Sequence, residues 1–460
     1  MLEAKIHLRS RCLLGALPLV WLAFACSGSE APNAEGTAGT AGTAGSAGTG
    51  TGTAGTPAAG GSAGTPSMAG SPAVGGGTSG ATNGGAGASG GGGAPGGAGG
   101  SGGAGGGTGG GGGAGGGGAG GGGSLPDKAY VYLGGAQSGM GVVAVYSLTY
   151  ATGALALVKS VAVGQNGSFL AIDAPGHALY VADDSGKRVR RMSLDPTTWV
   201  PAVGNDQASS GEPVHISVTT DGKFVLTAQY NQGTIEAFSV AGGMLGASLG
   251  SQAACGQSHA VILAPQQDFV FVPCKANDKI NRYKFDKATG ALTEPTPTAT
   301  AAGAGPRHMA FAPNGQFAYL VNELASTVYA YSYAAGALTE LQRITALPDG
   351  FTGSSAGAEI AVSPSGKDVY SSNRPNGQDG TLAQFRVGTD GKLTANGSQS
   401  TGGRTPRSFA IDPTGRFVIA GNVDSNSVAV LAVDATTGKL GTAKVMDVGL
   451  SPWFVGIVVP

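Results

Sequence analysis

The sequence predicts an all-β fold: a seven-bladed β-propeller of four-stranded antiparallel blades over residues 125–460. It is preceded by a signal peptide at 1–26 and a disordered Gly-rich linker at 27–124. Three observations predict the propeller. A short β-rich run recurs seven times, paired turn signals bracket each recurrence, and no long stretch at helical period interrupts the series. The runs are AYVYLGG at Ala129, ALYVADD at Ala178, FVLTAQY at Phe224, FVFVPCK at Phe269, FAYLVNE at Phe317, DVYSSNR at Asp368 and FVIAGNV at Phe417. Taking Tyr130, Tyr180, Leu226, Phe271, Tyr319, Tyr370 and Ile419 as markers, successive units lie roughly 45–51 residues apart, the period of one four-stranded blade.

Each unit has the same internal order. A hairpin signal precedes the marker run, as at Asp221-Gly222, Asn314-Gly315, Ser365-Gly366 and Thr414-Gly415. A further apolar run follows, such as STVYAYSY or NSVAVLAV. A second turn then closes it, for example Thr289-Gly290, Ala335-Gly336 or Thr437-Gly438. The first marker run has no strand ahead of it and the last segment, SPWFVGIVVP, has no run after it. The C-terminal strand is therefore expected to complete the first blade, closing the ring and removing free sheet edges.

The rest of the chain differs sharply in composition. Residues 27–124 are almost entirely Gly, Ala, Ser, Thr and Pro, with too little apolar surface to offset the entropy of ordering. As a flexible coil that segment reaches on the order of 50–60 Å. Its glycine runs lack the preceding strand and following helix that a phosphate-binding loop requires. At the N-terminus, Lys5, Arg9 and Arg11 precede an apolar run from Leu13 to Ala25, too short for a membrane span. The run ends Ala23-Phe24-Ala25-Cys26, which resembles a bacterial lipobox with Cys26 as the lipidated residue; an ordinary secretory signal is the alternative. With Ser27 and Gly28 following, the resemblance implies an exported lipoprotein of the outer membrane or cell surface, attached to the membrane through Cys26. The net charge of −1 and the lack of a basic cluster exclude a nucleic-acid footprint and a polybasic membrane patch. Of four cysteines, Cys255 and Cys274 fall in the predicted propeller; an exported compartment permits a disulfide between them, and two buried thiols are the other reading.

The repeat register locates a site. In a propeller the start of each inner strand and the end of each marker strand meet at one rim. The third and fourth residues after the markers include Asp183/Asp184, Gln229/Tyr230, Cys274/Lys275, Asn322/Glu323 and Asn373/Arg374; eleven or twelve residues before them lie His215, His259, Arg307/His308, Glu359 and Arg407. In a chain with only 12% charged residues, these converge on one mouth. That mixed-charge cluster at the axis is the candidate site, against the plainer reading of a salt-bridged rim. A hard cation needs six or more oxygens, which the Asp183-Asp184 pair beside so many Arg and His does not suggest. No metal and no cofactor are expected.

At these residues the chain resembles a known family. The stretches GAGPRHMAFAPNGQFAYLVNELASTVYAY, LPDGFTG, AEIAVSPSGKDVYSSNR and GGRTPRSFAIDPTGRFVIAGN, in that order, are similar to the seven-bladed propeller lactonases, which include 6-phosphogluconolactonases and, more distantly, carboxymuconate-lactonizing enzymes. The resemblance covers most of 128–460. It implies a catalytic trio of His259, Glu323 (in VNEL) and Arg374 (in SNR), and Arg307, His308, Glu359 and Arg407 match further rim positions of the family; the repeat register adds His215 and Lys275 to the residues expected around the substrate. Three departures stand out: Ser258 replaces the Pro usual before the first His, Ala312 stands where the family's FHPNG turn has His, and the turn after SNR is lengthened to PNGQDG.

The implied activity is hydrolysis of a sugar-type lactone by an activated water, with no cofactor, by a monomer. Glu323 or His259 would serve as general base, and Arg374, with Arg307, would stabilise the developing oxyanion. Arg307, Arg407 and Lys275 would hold an anionic group on the substrate. The alternatives are a non-catalytic scaffold or binding propeller of the cell envelope and a lactone-forming cycloisomerase, because fold alone does not fix function.

Overall fold

The computed structural model describes residues 127–460 and the dipeptide Gly109–Gly110. The signal segment, Cys26 and the rest of the linker lie outside the described residues. From Lys128 onward the chain forms seven antiparallel sheets, in which strands are hydrogen-bonded in chain order. The one exception is blade 1, where Ser451–Val458 pairs with Lys128–Gln137 and supplies the missing inner strand. The ring thus closes as the sequence ends predict. Gly109–Gly110 adds a two-residue strand to the free edge of Phe169–Asp173 in blade 2.

The inner and second strands of blades 2 to 7 are Phe169–Asp173 and Ala178–Asp183, Pro213–Val218 and Phe224–Gln229, Ile262–Leu263 and Phe269–Cys274, Pro306–Phe311 and Phe317–Asn322, Ser355–Val362 and Asp368–Pro375, and Pro406–Ile411 and Phe417–Asn422. Second strands such as Phe224–Gln229 and Phe417–Asn422 are buried along their whole length, because neighbouring blades cover both faces. Outer strands such as Ala154–Gly164 are mostly exposed and mostly polar or small. Most of the core therefore lies between blades, in clusters of Val, Ile, Leu, Phe and Tyr. Each such side chain contributes about 1.5–3 kcal/mol on full burial. The predicted hairpins form: Gly222, Gly315, Gly366 and Gly415 take φ of 67°, 67°, 71° and 73°, where a side chain would be strained.

One marker is out of register. Pro306 pairs with Asn322 and Pro406 with Asn422, three residues after Tyr319 and Ile419; in blade 1 Pro452 pairs with Gly135, three residues after Tyr132. The structural counterpart in blade 1 is therefore Tyr132, not Tyr130. The phenol confirms it: Tyr132, Tyr319 and Tyr370 each donate to a backbone oxygen of a neighbouring outer turn, at 2.7, 3.1 and 2.7 Å. Alternation of Tyr at 130 and 132 hid the two-residue offset in the sequence.

Candidate active site

The corrected register sorts the mouth into two layers. Twelve residues before the markers stand Ser168, Val214, His259, Arg307, Ala358 and Arg407, with Trp453 as the counterpart on the C-terminal strand. All except Ala358 line a recess at the channel mouth, together with Phe169, Asp184 and His308. The next residue along each strand points deeper: Phe169, His215, His308, Glu359 and Phe454 form a packed plug. Phe169 meets the His215 ring at 4.2 Å and the Phe454 ring at 4.6 Å, and His215 meets His308 edge-on at 5.3 Å.

Glu323 is the hub of the upper layer. It follows the second strand of blade 5 and is buried. Its Oε2 accepts from Arg307 Nε at 3.0 Å and lies 3.7 Å from His259 Nε2; its Oε1 accepts from Lys275 Nζ at 2.6 Å and lies 3.5 Å from an Arg374 guanidinium nitrogen. Burial pushes its pKa up, but Arg374, Arg307 and Lys275 outweigh that and hold it at about 2. The carboxylate is therefore fixed as an anion. Lys275 also donates to the Tyr230 hydroxyl at 3.2 Å, and Glu323 keeps its pKa raised against burial. Arg307 is pulled down to about 9 by burial and by Arg407 and Arg374, so it stays charged at neutral pH. Arg374 also donates to the Gly357 carbonyl, and Arg407 stacks its guanidinium 4.7 Å above the Trp453 ring.

The three histidines of the mouth are neutral. Burial lowers His215, His259 and His308 well below the usual value, and nearby positive charge lowers them further. The hydrogen-bond network assigns the tautomer of His308. Arginine is only a donor, so His308 Nε2 accepts from Arg307 at 3.3 Å, and its Nδ1–H donates to Glu359 Oε1 at 2.9 Å. His215 Nδ1 accepts the Val261 N–H at 3.4 Å. His259 lines the recess, and its buried Nδ1 has no hydrogen-bond partner. Burial raises Glu359 to about 8, with Arg307 and the Ile360 N–H only partly opposing it.

The structure brings the candidate catalytic and substrate-binding residues to one mouth, with Arg407 on the recess wall. His259, Glu323, Arg374, Lys275 and Arg307 form one contact network; His308 and Glu359 join it through Arg307, and His215 packs beneath. Asp184, named among the rim residues by the repeat register, lines the recess; Trp453 and Phe169 also belong to the site and were not singled out by sequence. Trp453 was hidden because its strand lies outside the unit register. Among the described residues no His, Cys, Asp and Glu side chains cluster in an arrangement that could hold a metal ion. Asp183 instead accepts the backbone N–H groups of Gln165, Asn166 and Gly186. Cys255 and Cys274 form a disulfide, with Cα atoms 5.6 Å apart.

A closed propeller with a buried, ionised acid–base cluster at one end of its axis defines a class: a ring-shaped scaffold with a small-molecule site at its mouth. The chain belongs to the seven-bladed β-propeller lactonase family, whose model matches residues 130–455. It is 33% identical over 314 residues to a 6-phosphogluconolactonase of Pectobacterium carotovorum, covering 67% of this chain and 93% of the relative. A 6-phosphogluconolactonase of Bacillus subtilis is 34% identical over 279 residues, covering 57% and 78%. Among solved structures, the periplasmic gluconolactonase of Pseudomonas aeruginosa superposes with a TM-score of 0.67 at 25% identity, covering 72% of this chain and 99% of that one. A Lactobacillus plantarum protein gives 0.66 at 28% identity, covering 72% and 100%.

Proposed function

We propose that the propeller hydrolyses sugar-type lactones, and that its substrates are unphosphorylated and met outside the cytoplasm. One observation carries the chemistry: a neutral imidazole, His259, stands in the recess beside the permanently ionised Glu323. His259 takes the proton from a water as it attacks the lactone carbonyl, and Glu323 stabilises the imidazolium that forms. Arg307 and Arg407 line the recess and face the oxyanion that develops on the carbonyl. Arg374 and Lys275 hold Glu323 in its charge state. The ring C–O bond then breaks, and the imidazolium returns its proton to the alkoxide leaving group, giving the open hydroxy acid.

Asp184 and Trp453 support the choice of an unphosphorylated substrate. Asp184 lines the recess, and a phosphate dianion there would meet its carboxylate; Trp453, on whose ring Arg407 stacks, adds an aromatic wall suited to a sugar ring. The Cys255–Cys274 disulfide supports an oxidising compartment. Attachment through a lipid on Cys26 at the outer membrane or cell surface is part of the same reading. A Cys26→Ala variant is expected to leave the membrane fraction, and retention there would overturn the anchor. The chemical test is a pH-stat assay of gluconolactone against its 6-phosphate, corrected for spontaneous opening. A higher kcat/KM for the free lactone is expected. Preference for the phosphate would overturn the substrate assignment; no turnover of any lactone in a broad panel would leave a binding propeller.

A further inference from the structure

Blade 4 is built differently from its neighbours at the place where it presents His259. Its inner strand is only two residues, Ile262–Leu263, whereas the other blades have inner strands of five to eight residues, such as Phe169–Asp173 and Ser355–Val362. Blades 3, 5 and 7 begin that strand with Pro213, Pro306 and Pro406, whose rings fix φ. Blade 4 has Ser258 in that position. The ladder is reduced there to an isolated bridge between Ser258 and Cys274. His259 N–H donates to the Pro273 carbonyl at 3.0 Å and Lys275 N–H to the Gln257 carbonyl at 3.2 Å, but Pro273 has no N–H to return a bond to His259.

In blades 2, 3, 6 and 7 the residue three after the marker pins the loop that enters the blade. Asp183 accepts the N–H groups of Gln165 and Asn166 at 3.2 and 3.0 Å. Gln229 donates to Ser209 at 3.1 Å, Asn373 to the Ala346 carbonyl at 2.6 Å, and Asn422 to the Thr401 carbonyl at 3.3 Å. In blade 4 that residue is Cys274, and its pin is the covalent bond to Cys255 in the incoming loop. Cys255 stands four residues before His259, and Cys274 one before Lys275. The same pair of segments supplies both groups that face Glu323 from blade 4.

We infer that the Cys255–Cys274 disulfide is the positioning device of this site: added to a shortened β-ladder, it holds His259 and Lys275 against Glu323. The kinetic arm of its test rests on the lactonase reading; the structural arm does not. The full chain is compared with a Cys255→Ser/Cys274→Ser variant and with wild type reduced by a water-soluble phosphine, which yields two thiols and the phosphine oxide without any substitution. By hydrogen exchange, residues 254–263 are expected to exchange roughly tenfold faster in both, while Lys128–Gln137 and Ser451–Val458, which close the ring, keep wild-type rates. With lactone, kcat is expected to fall roughly tenfold or more with KM within about twofold, as for a misplaced catalytic group. The acid limb of kcat/KM is expected to move up towards the ordinary histidine value as His259 loosens. Phosphine should leave the double variant unchanged. Unchanged exchange over 254–263, or loosening spread equally over every blade, overturns the inference. If wild type turns over no lactone, the reading of the site as a lactonase fails, and the exchange data alone decide the positioning role.

Discussion

Glu323 and Glu359 are buried to the same depth, at 4% and 3% exposure, yet they stand on opposite sides of neutrality. Glu323 is held at about 2 and Glu359 raised to about 8. Burial pushes both upward. The difference lies in what the backbone brings to each. Glu323 leaves the end of a second strand, where Lys275, Arg307 and Arg374 converge on its two oxygens. Glu359 sits on an inner strand in the layer beneath, bonded to a neutral imidazole and a backbone N–H, and the charges of Arg307 and Arg407 offset its burial only in part. Two adjacent layers of the mouth, one reached from blade 5 and the other from blade 6, thus hold a permanent anion and a protonated acid, and only the first is suited to stabilise an imidazolium.

The largest effect that would test this contrast is that of Glu323→Gln. Removing its charge leaves Lys275, Arg307 and Arg374 facing one another without their anion. We expect lactone turnover to fall by about 10²–10⁴ and stability by about 3–5 kcal/mol. Glu359→Gln, isosteric with the protonated acid, should stay within about threefold of wild-type turnover at neutral pH. Equal losses in the two variants would erase the distinction. Next in size is His259→Gln, expected to lower kcat by about 10²–10³ with little change in KM. Because burial and positive neighbours depress His259, the wild-type acid limb of kcat/KM should lie below pH 6.5. A limb above that value would remove His259 from the role of base. Smaller still is Arg407→Ala, which takes one cation from the recess and exposes the Trp453 ring. About a tenfold loss in kcat/KM is expected, and an unchanged value would place the reacting carbonyl elsewhere.

The fold was legible because a propeller repeats its local chemistry. Hairpin glycines and apolar marker runs recur, and each is enforced by the same packing between blades. The site was legible for the complementary reason: equivalent positions that merely build blades have no need of His259, Arg307, Glu323 or Arg374. Depth was not legible. Arg307 and His308 are adjacent in sequence, but one helps form the recess wall and the other reaches down to the plug, and only the pleat of the inner strand decides which. Trp453 escaped notice because chain closure separates its strand by more than 300 residues from the blade it completes. The role of Cys274 needed the structure too, since nothing in sequence shows that Asp183, Gln229, Asn373 and Asn422 do by hydrogen bonding what it does covalently.

The smallest effect is also the most specific to the lower layer. Glu359 has a folded pKa of about 8 against an ordinary value of 4.5. A raised pKa means that the folded state binds the proton more tightly than the unfolded state. The stability this contributes is fully present below pH 4.5 and is lost as pH rises through 8. Glu359→Gln removes that dependence, so the wild-type Tm minus the variant Tm should fall steadily from pH 4.5 to about 8, by on the order of several °C. The buried histidines act in the opposite sense. Their depressed values give stability that is present above pH 6.5 and lost as pH falls, so wild type alone would show a mixture of both trends. The contributions of His215 and His259 are common to both proteins and cancel in the difference; that of His308, bonded to Glu359, falls below pH 6.5 and leaves the range from 6.5 to 8 to Glu359. Glu323 cancels likewise, since its loss of stability belongs to the range below 4.5. A difference that is flat across the window, or that grows with pH, would show Glu359 to be ionised in the folded protein, and the two carboxyls of the mouth would then be alike.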